Sequence, residues 1–399
     1  MEAKKTVLNP SLNPFDDWKS LCLSLYMTLA GYAVLVGVPV ISTAWVTLLE
    51  FSEVQVGRVA GADLGGLSVG ALLTSSLIVR FSRRYIILIG ICIAVFSNFA
   101  CISITAYEYV VWLRFLAGLG SGFITATAVS CLGACSKPAL AFNAMLFAFA
   151  FSQAAEMHFL PMFSMQNIYI TFIVCYLIII PFIGFIPHQN SNVDELSESL
   201  NSSRAPDIVS KYIVWLCLLA IVITYINIGA YWTYIELAAA KDDTDPAWVS
   251  SVLTWSSLFS LVGCLFATLL SNRFGLLRPL LVTLVCQASI VGMLANGITN
   301  MTILISVFSF NFLWIFIDVY QMSTIANFDT TGRYSSLMPG AQGLGQILGP
   351  NFAASILGLT TDYSGVFIMC SMASILALII YIFIFLKFKV SRPELVYAT

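Results

Sequence analysis

Long apolar stretches, separated by short polar ones, run through the whole chain. A helix needs about 20 apolar residues, at 1.5 Å rise each, to cross the hydrocarbon core of a bilayer. Charges, prolines and polar clusters separate the stretches, and the pattern predicts twelve membrane-spanning helices. The predicted spans are 20–48, 54–80, 85–106, 109–135, 138–163, 166–187, 210–238, 247–271, 277–297, 301–327, 334–358 and 363–386.

One longer polar interval divides these spans into two sets of six. It covers 188–209 and contains several charges and Pro206, which is typical of a linker. The predicted organisation is a tail over 1–19, a six-helix bundle over 20–187, the linker over 188–209, a second bundle over 210–388 and a tail over 389–399.

The basic residues are distributed unevenly between the two sides that this topology creates. Of the 18 Lys and Arg residues, two, Arg58 and Lys241, fall on the side away from the termini. Arg114 lies inside the fourth span, and all the others fall on the side of the termini and linker. Cytoplasmic loops carry such an excess, so the bias predicts cytoplasmic termini.

Composition places the chain in lipid. With 59% hydrophobic and 10% charged residues and a mean hydropathy of +0.92, it could not cover a soluble particle of its size. The formal charge of −2 offers no basic excess for phosphates, so no nucleic-acid partner is expected. The ten cysteines are scattered without a CxxC pair, and no metal site is expected.

Two short motifs carry further information. Val79-Arg80-Phe81-Ser82 is followed by two more arginines, and Asn272-Arg273-Phe274-Gly275 repeats its shape about half a chain length later. Span 4 contains Arg114-Phe-Leu-Ala-Gly118-Leu-Gly120-Ser-Gly122. Parallel six-span halves are a recognised transporter architecture.

Taken together, these features resemble the major facilitator superfamily over essentially the whole chain. That family has Gly-x-Leu-Ala-Asp-Arg-x-Gly-Arg-Lys after span 2 and Arg-x-x-x-Gly-x-Gly-x-Gly in span 4, and Val79 here replaces the Asp of the loop. The resemblance implies an all-α membrane fold of two pseudo-twofold-related bundles, a cavity lined by spans 1, 4, 7 and 10, and alternating access. It also implies conformational loops, which here contain Arg80, Arg83, Arg84, Asn272 and Arg273.

Charged or ionisable residues inside a span are costly and point to function. The candidates for a coupling or ion-pair network are Asp63, Arg114, Glu156, His158 and Asp318. At 1.5 Å per residue, Arg114 and Glu156 both lie about 10 Å below the outer surface, which predicts that they pair. Asp63 and His158 could share the same outer cavity, and Asp318 lies nearer the cytoplasm. The alternative is a fixed structural ion pair.

Aromatic and amide side chains of spans 1, 7, 8, 10 and 11 suit a small organic solute. The candidates are Tyr32, Asn227, Tyr231, Trp232, Trp255, Trp314, Gln342 and Gln346. These aromatics could instead form interfacial belts or core.

Small residues at a spacing of four allow close helix packing in a bilayer. The candidates are Gly61, Gly65, Gly118, Gly122, Gly345 and Gly349. Since spans 2 and 11 face each other in the resembled family, those of spans 2 and 11 are expected at the moving interface between the bundles.

The sequence therefore predicts a monomeric secondary active transporter of a small organic solute, with the proton as coupling ion and no cofactor. Symport and a bacterial inner membrane are favoured. No Walker motif is present, so ATP is not the expected energy source. An efflux antiporter and a solute sensor without net transport remain alternatives. A membrane-embedded enzyme would need clustered catalytic groups, and with only two histidines none is expected.

Overall fold

The chain folds into long α-helices. The computed structural model describes residues 13–187, 211–274, 277–328, 337–360 and 362–391, and these contain twelve long helices and no strand. The first six are α1 Trp18–Leu49, α2 Glu53–Leu77, α3 Arg83–Ser103, α4 Tyr107–Gly133, α5 Pro138–Phe159 and α6 Met165–Leu177. The second six are α7 Lys211–Lys241, α8 Pro246–Phe274, α9 Leu277–Gly292, α10 Asn300–Phe328, α11 Met338–Leu357 and α12 Ser364–Ser391. The predicted all-α fold is confirmed.

Serine side chains begin several of these helices. Ser52 and Gln55 form a reciprocal capping box at α2, in which the Gln55 Oε1 accepts from the Ser52 amide at 2.9 Å. Ser82 and Ser164 accept from backbone amides at the starts of α3 and α6. Pro138 occupies the first turn of α5, where its missing N–H costs nothing. Short polar caps thus separate successive spans.

α11 differs from the other helices in its polarity. Among the described residues, eleven helices are long and apolar enough to cross a membrane, and α11 is the one that is not. It contains two glutamines, an asparagine and four glycines after its first proline. A Cβ at Gly345 or Gly349 would overlap the carbonyl oxygens of Val222 and Ile226 in α7. α11 is therefore shielded by protein, mainly by α7 and α2.

Glycines also bring α2 and α4 into contact within the first bundle. A Cβ at Gly118 or Gly122 of α4 would overlap the carbonyl oxygens of Asp63 and Leu67 in α2. Gly66 of α2 lies in the same way against the Phe115 carbonyl oxygen. Backbones this close leave little freedom for relative motion of α2 and α4. The two helices and their side chains therefore behave as one rigid unit.

The two bundles meet at the end of the molecule that carries the loops at 50–52, 242–245 and 358–360. Arg58 of α2 donates to the Asn351 Oδ1 at 2.8 Å and to the Ser355 Oγ at 2.9 Å in α11. Glu53 lies 3.7 Å from the Lys241 Nζ and accepts through its carbonyl oxygen from the Tyr234 hydroxyl at 2.8 Å. We call this set of contacts the latch; its members are Glu53, Arg58, Tyr234, Lys241, Asn351 and Ser355.

The opposite end, which carries the basic loops, holds the segment that precedes α1. Phe15 is buried and lies 5.0 Å beneath the guanidinium of Arg83. Asn13 donates to the Ala134 carbonyl oxygen at 2.8 Å. Asp16 accepts from the amide of Ser136 at 2.7 Å and from its hydroxyl, and these hydrogen bonds lower the pKa of the Asp16 carboxyl. The segment Asn13–Asp16 thus binds the loop between α4 and α5.

Candidate functional site

The Arg114 side chain is enclosed by neutralising partners. Its Nε donates to the Asp63 Oδ2 at 2.7 Å, its Nη2 reaches the same oxygen, and its Nη1 donates to the Asn98 Oδ1 at 2.7 Å. The guanidinium also lies 5.5 Å from the ring centre of Tyr169. Arg114 and Asp63 are 1% and 2% exposed, respectively. Asp63, Asn98 and Arg114 therefore form one sealed cluster between α2, α3 and α4.

Glu156 is not part of this cluster, so the expected pair with Arg114 does not form. Its Oε1 accepts from the Ser152 hydroxyl at 3.2 Å, and its Oε2 is buried without a hydrogen-bond partner. A Cβ on Gly37 would lie 2.6 Å from that Oε2, so Glu156 faces α1. The two residues share a depth, but the α2–α4 glycine contact turns Arg114 towards Asp63 instead.

Four other candidates lie away from any central cavity. His158 is exposed and packs on the neighbouring Phe159 ring at 4.9 Å, and Trp255 is 64% exposed on the face of α8 turned away from the core.

Tyr231 and Asn227 are buried inside the second bundle. Tyr231 stacks on Phe310 at 3.8 Å and hydrogen-bonds Ser306, and Asn227 donates to the Ser374 Oγ at 2.8 Å. Residue type alone did not distinguish these positions from those that line the cavity.

Asp318 forms a second polar centre, in the second bundle. Its Oδ1 accepts from the Tyr225 hydroxyl of α7 and from the Gln342 Nε2 of α11, both at 2.8 Å. Tyr32 of α1 lies within electrostatic reach of the carboxylate. The hydrogen bonds of this centre thus join α7, α10 and α11, and both donors are neutral.

A small central cavity lies between the bundles. Its volume is about 10 Å³, enough for about one water molecule. Residues of α1, α2, α7, α10 and α11 line it, among them Leu35, Leu64, Trp232, Trp314 and Gln346. Trp232 crosses the interface and donates through its Nε1 to the Val36 carbonyl oxygen at 3.2 Å. The bundles must separate before an organic solute can enter here.

Comparison with known proteins decides the family. The sequence profile of the Major Facilitator Superfamily matches residues 21–350, most of the chain. The chain belongs to the major facilitator superfamily. This membership identifies a multi-pass membrane transporter rather than an enzyme. A search of curated proteins finds no match at the significance threshold used.

Solved structures show the same superfamily fold. The nucleoside transporter NupG superposes with a TM-score of 0.71 at 13% identity, over 92% of this chain and 99% of that one. A variant of NupG with an aspartate changed to alanine gives a TM-score of 0.74 at the same identity and coverage. The D-xylose-proton symporter gives 0.71 at 14% identity, over 91% of this chain and 96% of that one. At these identities the likeness shows the fold alone.

The conformational loops of this superfamily member are partly described. Arg83 lies over Phe15, and Arg84 donates from its Nε to the Ile186 carbonyl oxygen at 2.7 Å and from its Nη2 to that of Gly184 at 2.6 Å. Arg80 is exposed. The side chains of Asn272 and Arg273 lie outside the described residues. Where Val79 replaces the family's acidic residue, Arg83 packs on an aromatic ring.

The glycines do not all lie where the resemblance implies. Gly61 and Gly65 of α2 do face α11, at Asn351 and Ile347. Gly345 and Gly349 face α7 within their own bundle, so they are not at the contact with α2. α11 contacts both α7 and α2. The spacing of its glycines along the sequence does not indicate which of these two helices packs against the glycine face.

Sequence reasoning missed Glu236. Its Oε2 is buried without a hydrogen-bond partner, and Thr43 of α1 is the side chain that faces its carboxyl. The rule that selected Asp318, an acid inside a predicted span, also applies to Glu236, two residues from the predicted end of span 7. Asn98 was missed because a neutral amide carries no such signal.

Proposed function

We propose that this protein is a secondary active transporter that moves a small organic solute by alternating access, coupled to protons at Asp318. The observation that carries the proposal is the pairing of a carboxylate inside the membrane with two neutral donors, Tyr225 and Gln342. A charge at this depth is costly unless it is paired, so a change of its protonation state has a large effect on packing.

The geometry around Asp318 supports proton coupling there. Both neutral donors bind the Oδ1 atom, which leaves the Oδ2 atom free of these two hydrogen bonds. A proton or a solute hydroxyl can therefore occupy Oδ2 without displacing either donor. The donors come from α7 and α11 and the acid from α10. A change in the protonation or hydrogen bonding of Oδ2 therefore affects the packing of three helices.

The Arg114 cluster supports a structural role for Arg114 in this scheme. Its guanidinium is neutralised by Asp63 and further bonded by Asn98, with almost no exposure. Moving a proton onto Asp63 would leave the buried guanidinium without its counter-ion, which is strongly unfavourable. Coupling at Asp318 avoids this cost.

The latch supports an assignment of conformation and orientation. The charge bias favours a latch end outside the cytoplasm, with both termini cytoplasmic. The bundles are hydrogen-bonded at that end, as expected for a state whose outer entrance is closed. A bacterial inner membrane and a monomer remain our expectation.

The cavity lining supports a solute with ring or amide character. Trp232, Trp314 and Gln346 offer stacking surfaces and a hydrogen-bonding amide. The solved structures with this fold include a nucleoside transporter and a D-xylose-proton symporter. Nucleosides and pentoses are therefore the first compounds to screen by thermal shift, followed by drug-like amines to test the efflux alternative.

Asp318→Asn tests the proposed coupling. The purified protein is reconstituted into vesicles and its flux of a screened ligand is measured under an imposed pH gradient. One proton per solute gives up to about tenfold accumulation per pH unit in the wild type. Asp318→Asn should abolish accumulation and keep solute exchange, because the amide cannot release a proton.

Three outcomes separate the alternatives. Retained accumulation in Asp318→Asn would contradict coupling at this residue. Accumulation against the opposite pH gradient would identify an antiporter. Binding in the thermal-shift screen without flux in vesicles would identify a sensor.

A further inference from the structure

Glu236 occupies a position between the bundles that the proposed coupling site does not use. It lies on α7, one helical turn after Trp232, whose indole donates to the Val36 carbonyl oxygen of α1. The Glu236 carboxyl faces Thr43, further along the same helix α1. Trp232 and Glu236 therefore present one face of α7 to α1, and that contact crosses from one bundle to the other.

Among the residues that the structure describes, no basic group lies within ion-pair distance of the Glu236 carboxyl. Its Oε2 is buried without a hydrogen-bond partner there, and the Thr43 side chain faces the carboxyl. An ionised carboxylate in such a place is costly, whereas the neutral acid is tolerated. The closed contact between α1 and α7 is therefore compatible with a protonated Glu236 and opposed by an ionised one.

The charged groups on neighbouring helices do not change this balance. Glu53 and Arg58 of α2 and Lys241 of α7 are engaged with one another or with α11 in the latch. Asp318 of α10 is bound by Tyr225 and Gln342. Glu50 caps the end of α1, and α11 carries no charged residue. Among the described side chains, the other charges of α1 and α12, Lys19 and Lys387, lie towards the basic end.

A second acid with a buried carboxyl oxygen offers a matched comparison. Glu156 of α5 also faces α1, at Gly37, and its Oε2 is likewise without a hydrogen-bond partner. α1 and α5 belong to the same bundle, so the Glu156 contact is not broken when the bundles separate. Glu156 and Glu236 thus differ in whether opening of the latch end exposes the carboxyl to water.

We propose that Glu236 is the proton-controlled element of the outer closure. As a neutral acid it allows α7 to close on α1. When it releases its proton to water at the outer entrance, the carboxylate stays hydrated and holds the latch end open. The inference rests on alternating access, which is part of the proposed function, but it needs neither a solute nor coupling at Asp318.

The test measures the opening of the latch end directly, without solute. Spin labels are introduced as non-canonical amino acids at Leu48 of α1 and Ala247 of α8, both exposed at that end, so the native cysteines remain. Distances between the labels are measured by pulsed electron paramagnetic resonance in vesicles from pH 5 to pH 8. In the wild type, the long-distance population should grow with pH, by up to about tenfold per pH unit.

The variants make the assignment specific. Glu236→Gln should keep the short distance at every pH, whereas Glu156→Gln should keep the wild-type response. Thr43→Val removes the hydroxyl that faces the carboxyl and favours its charged form, so it should move the midpoint to higher pH. This gives a second readout if Glu236→Gln is poorly folded.

Two outcomes would overturn the proposal: a wild-type distance that is independent of pH, or a Glu236→Gln variant with the wild-type midpoint. Because solute flux is measured in separate experiments, failure of proton-driven accumulation would not be confused with failure of the gate.

Discussion

At the scale of single residues, Arg114 and Asp63 show how a buried charge is retained in this protein. The guanidinium is held by one carboxylate, one amide and one aromatic face, so that little of its charge is uncompensated. Breaking a buried ion pair by removing one partner is strongly destabilising, while replacing both partners with apolar residues is often nearly neutral. These two responses to mutation distinguish a structural ion pair from a residue that takes part in transport.

We expect Arg114→Met to destabilise the protein by about 3–5 kcal/mol, because it leaves the Asp63 carboxylate buried and unpaired. Adding Asp63→Leu should recover most of that loss. Thermal or chemical unfolding of the solubilised protein measures both effects. In the same double-mutant cycle, Glu156→Gln should show no coupling to Arg114→Met, and a coupling as large as that of Asp63 would contradict the geometry described here.

The sequence predicted which residues are charged inside the membrane and roughly how deep they lie, since both follow from counting along a helix. It could not predict their direction around the helix axis. Arg114 and Glu156 illustrate the difference: they share a depth, but Arg114 turns to α2 and Glu156 to α1. That direction is set by the glycine contacts between α2 and α4, which are tertiary.

At the scale of helices, the observed helix bounds agree with those predicted from hydropathy to within a few residues, except where an α-helix is interrupted. The predicted span 6, 166–187, is an α-helix over Met165–Leu177 followed by a 3₁₀ segment over Ile180–Phe185 that contains Pro181. Proline cannot donate the backbone hydrogen bond that would continue the α-helix. Helix partners were harder to predict than helix bounds, as Gly349 shows.

Gly349 and Gly65 form a matched pair for testing these partners. A Cβ on Gly349 would overlap the Ile226 carbonyl oxygen of α7, whereas a Cβ on Gly65 would meet the Ile347 side chain at 3.4 Å, an ordinary contact. We therefore expect Gly349→Ala to destabilise the second bundle by about 1–3 kcal/mol through overpacking, and Gly65→Ala to be tolerated. Unfolding midpoints of the two variants provide the comparison; equal midpoints would mean that α7 and α11 can separate without cost.

At the scale of the whole molecule, the two ends differ in charge and in contacts. The end away from the basic loops has two basic residues, Arg58 and Lys241, and both of them belong to the latch. At the basic end, the segment Asn13–Asp16 is bound to the first bundle instead. We expect an asymmetric molecule of this kind to adopt one orientation in the membrane.

Single cysteines at Val79 and Leu359 test that orientation. Both positions are exposed, at 76% and 89%, and they lie at opposite ends. In intact cells that express a variant without the native cysteines, a membrane-impermeant maleimide should label Leu359→Cys from outside. Val79→Cys should react only after the membrane is permeabilised. Labelling of both from outside would contradict twelve spans with cytoplasmic termini.

The polarity of α11 has a consequence for how the chain is made. α11 is less apolar than α10 and α12 on either side of it in the chain, so we expect its insertion to depend on protein neighbours as well as on lipid. α7 receives its glycine face and α2 is its other main neighbour, and both precede α11 in the chain. We therefore expect α11 to enter the membrane efficiently only after α2 and α7 are in place, an order that the sequence of synthesis provides.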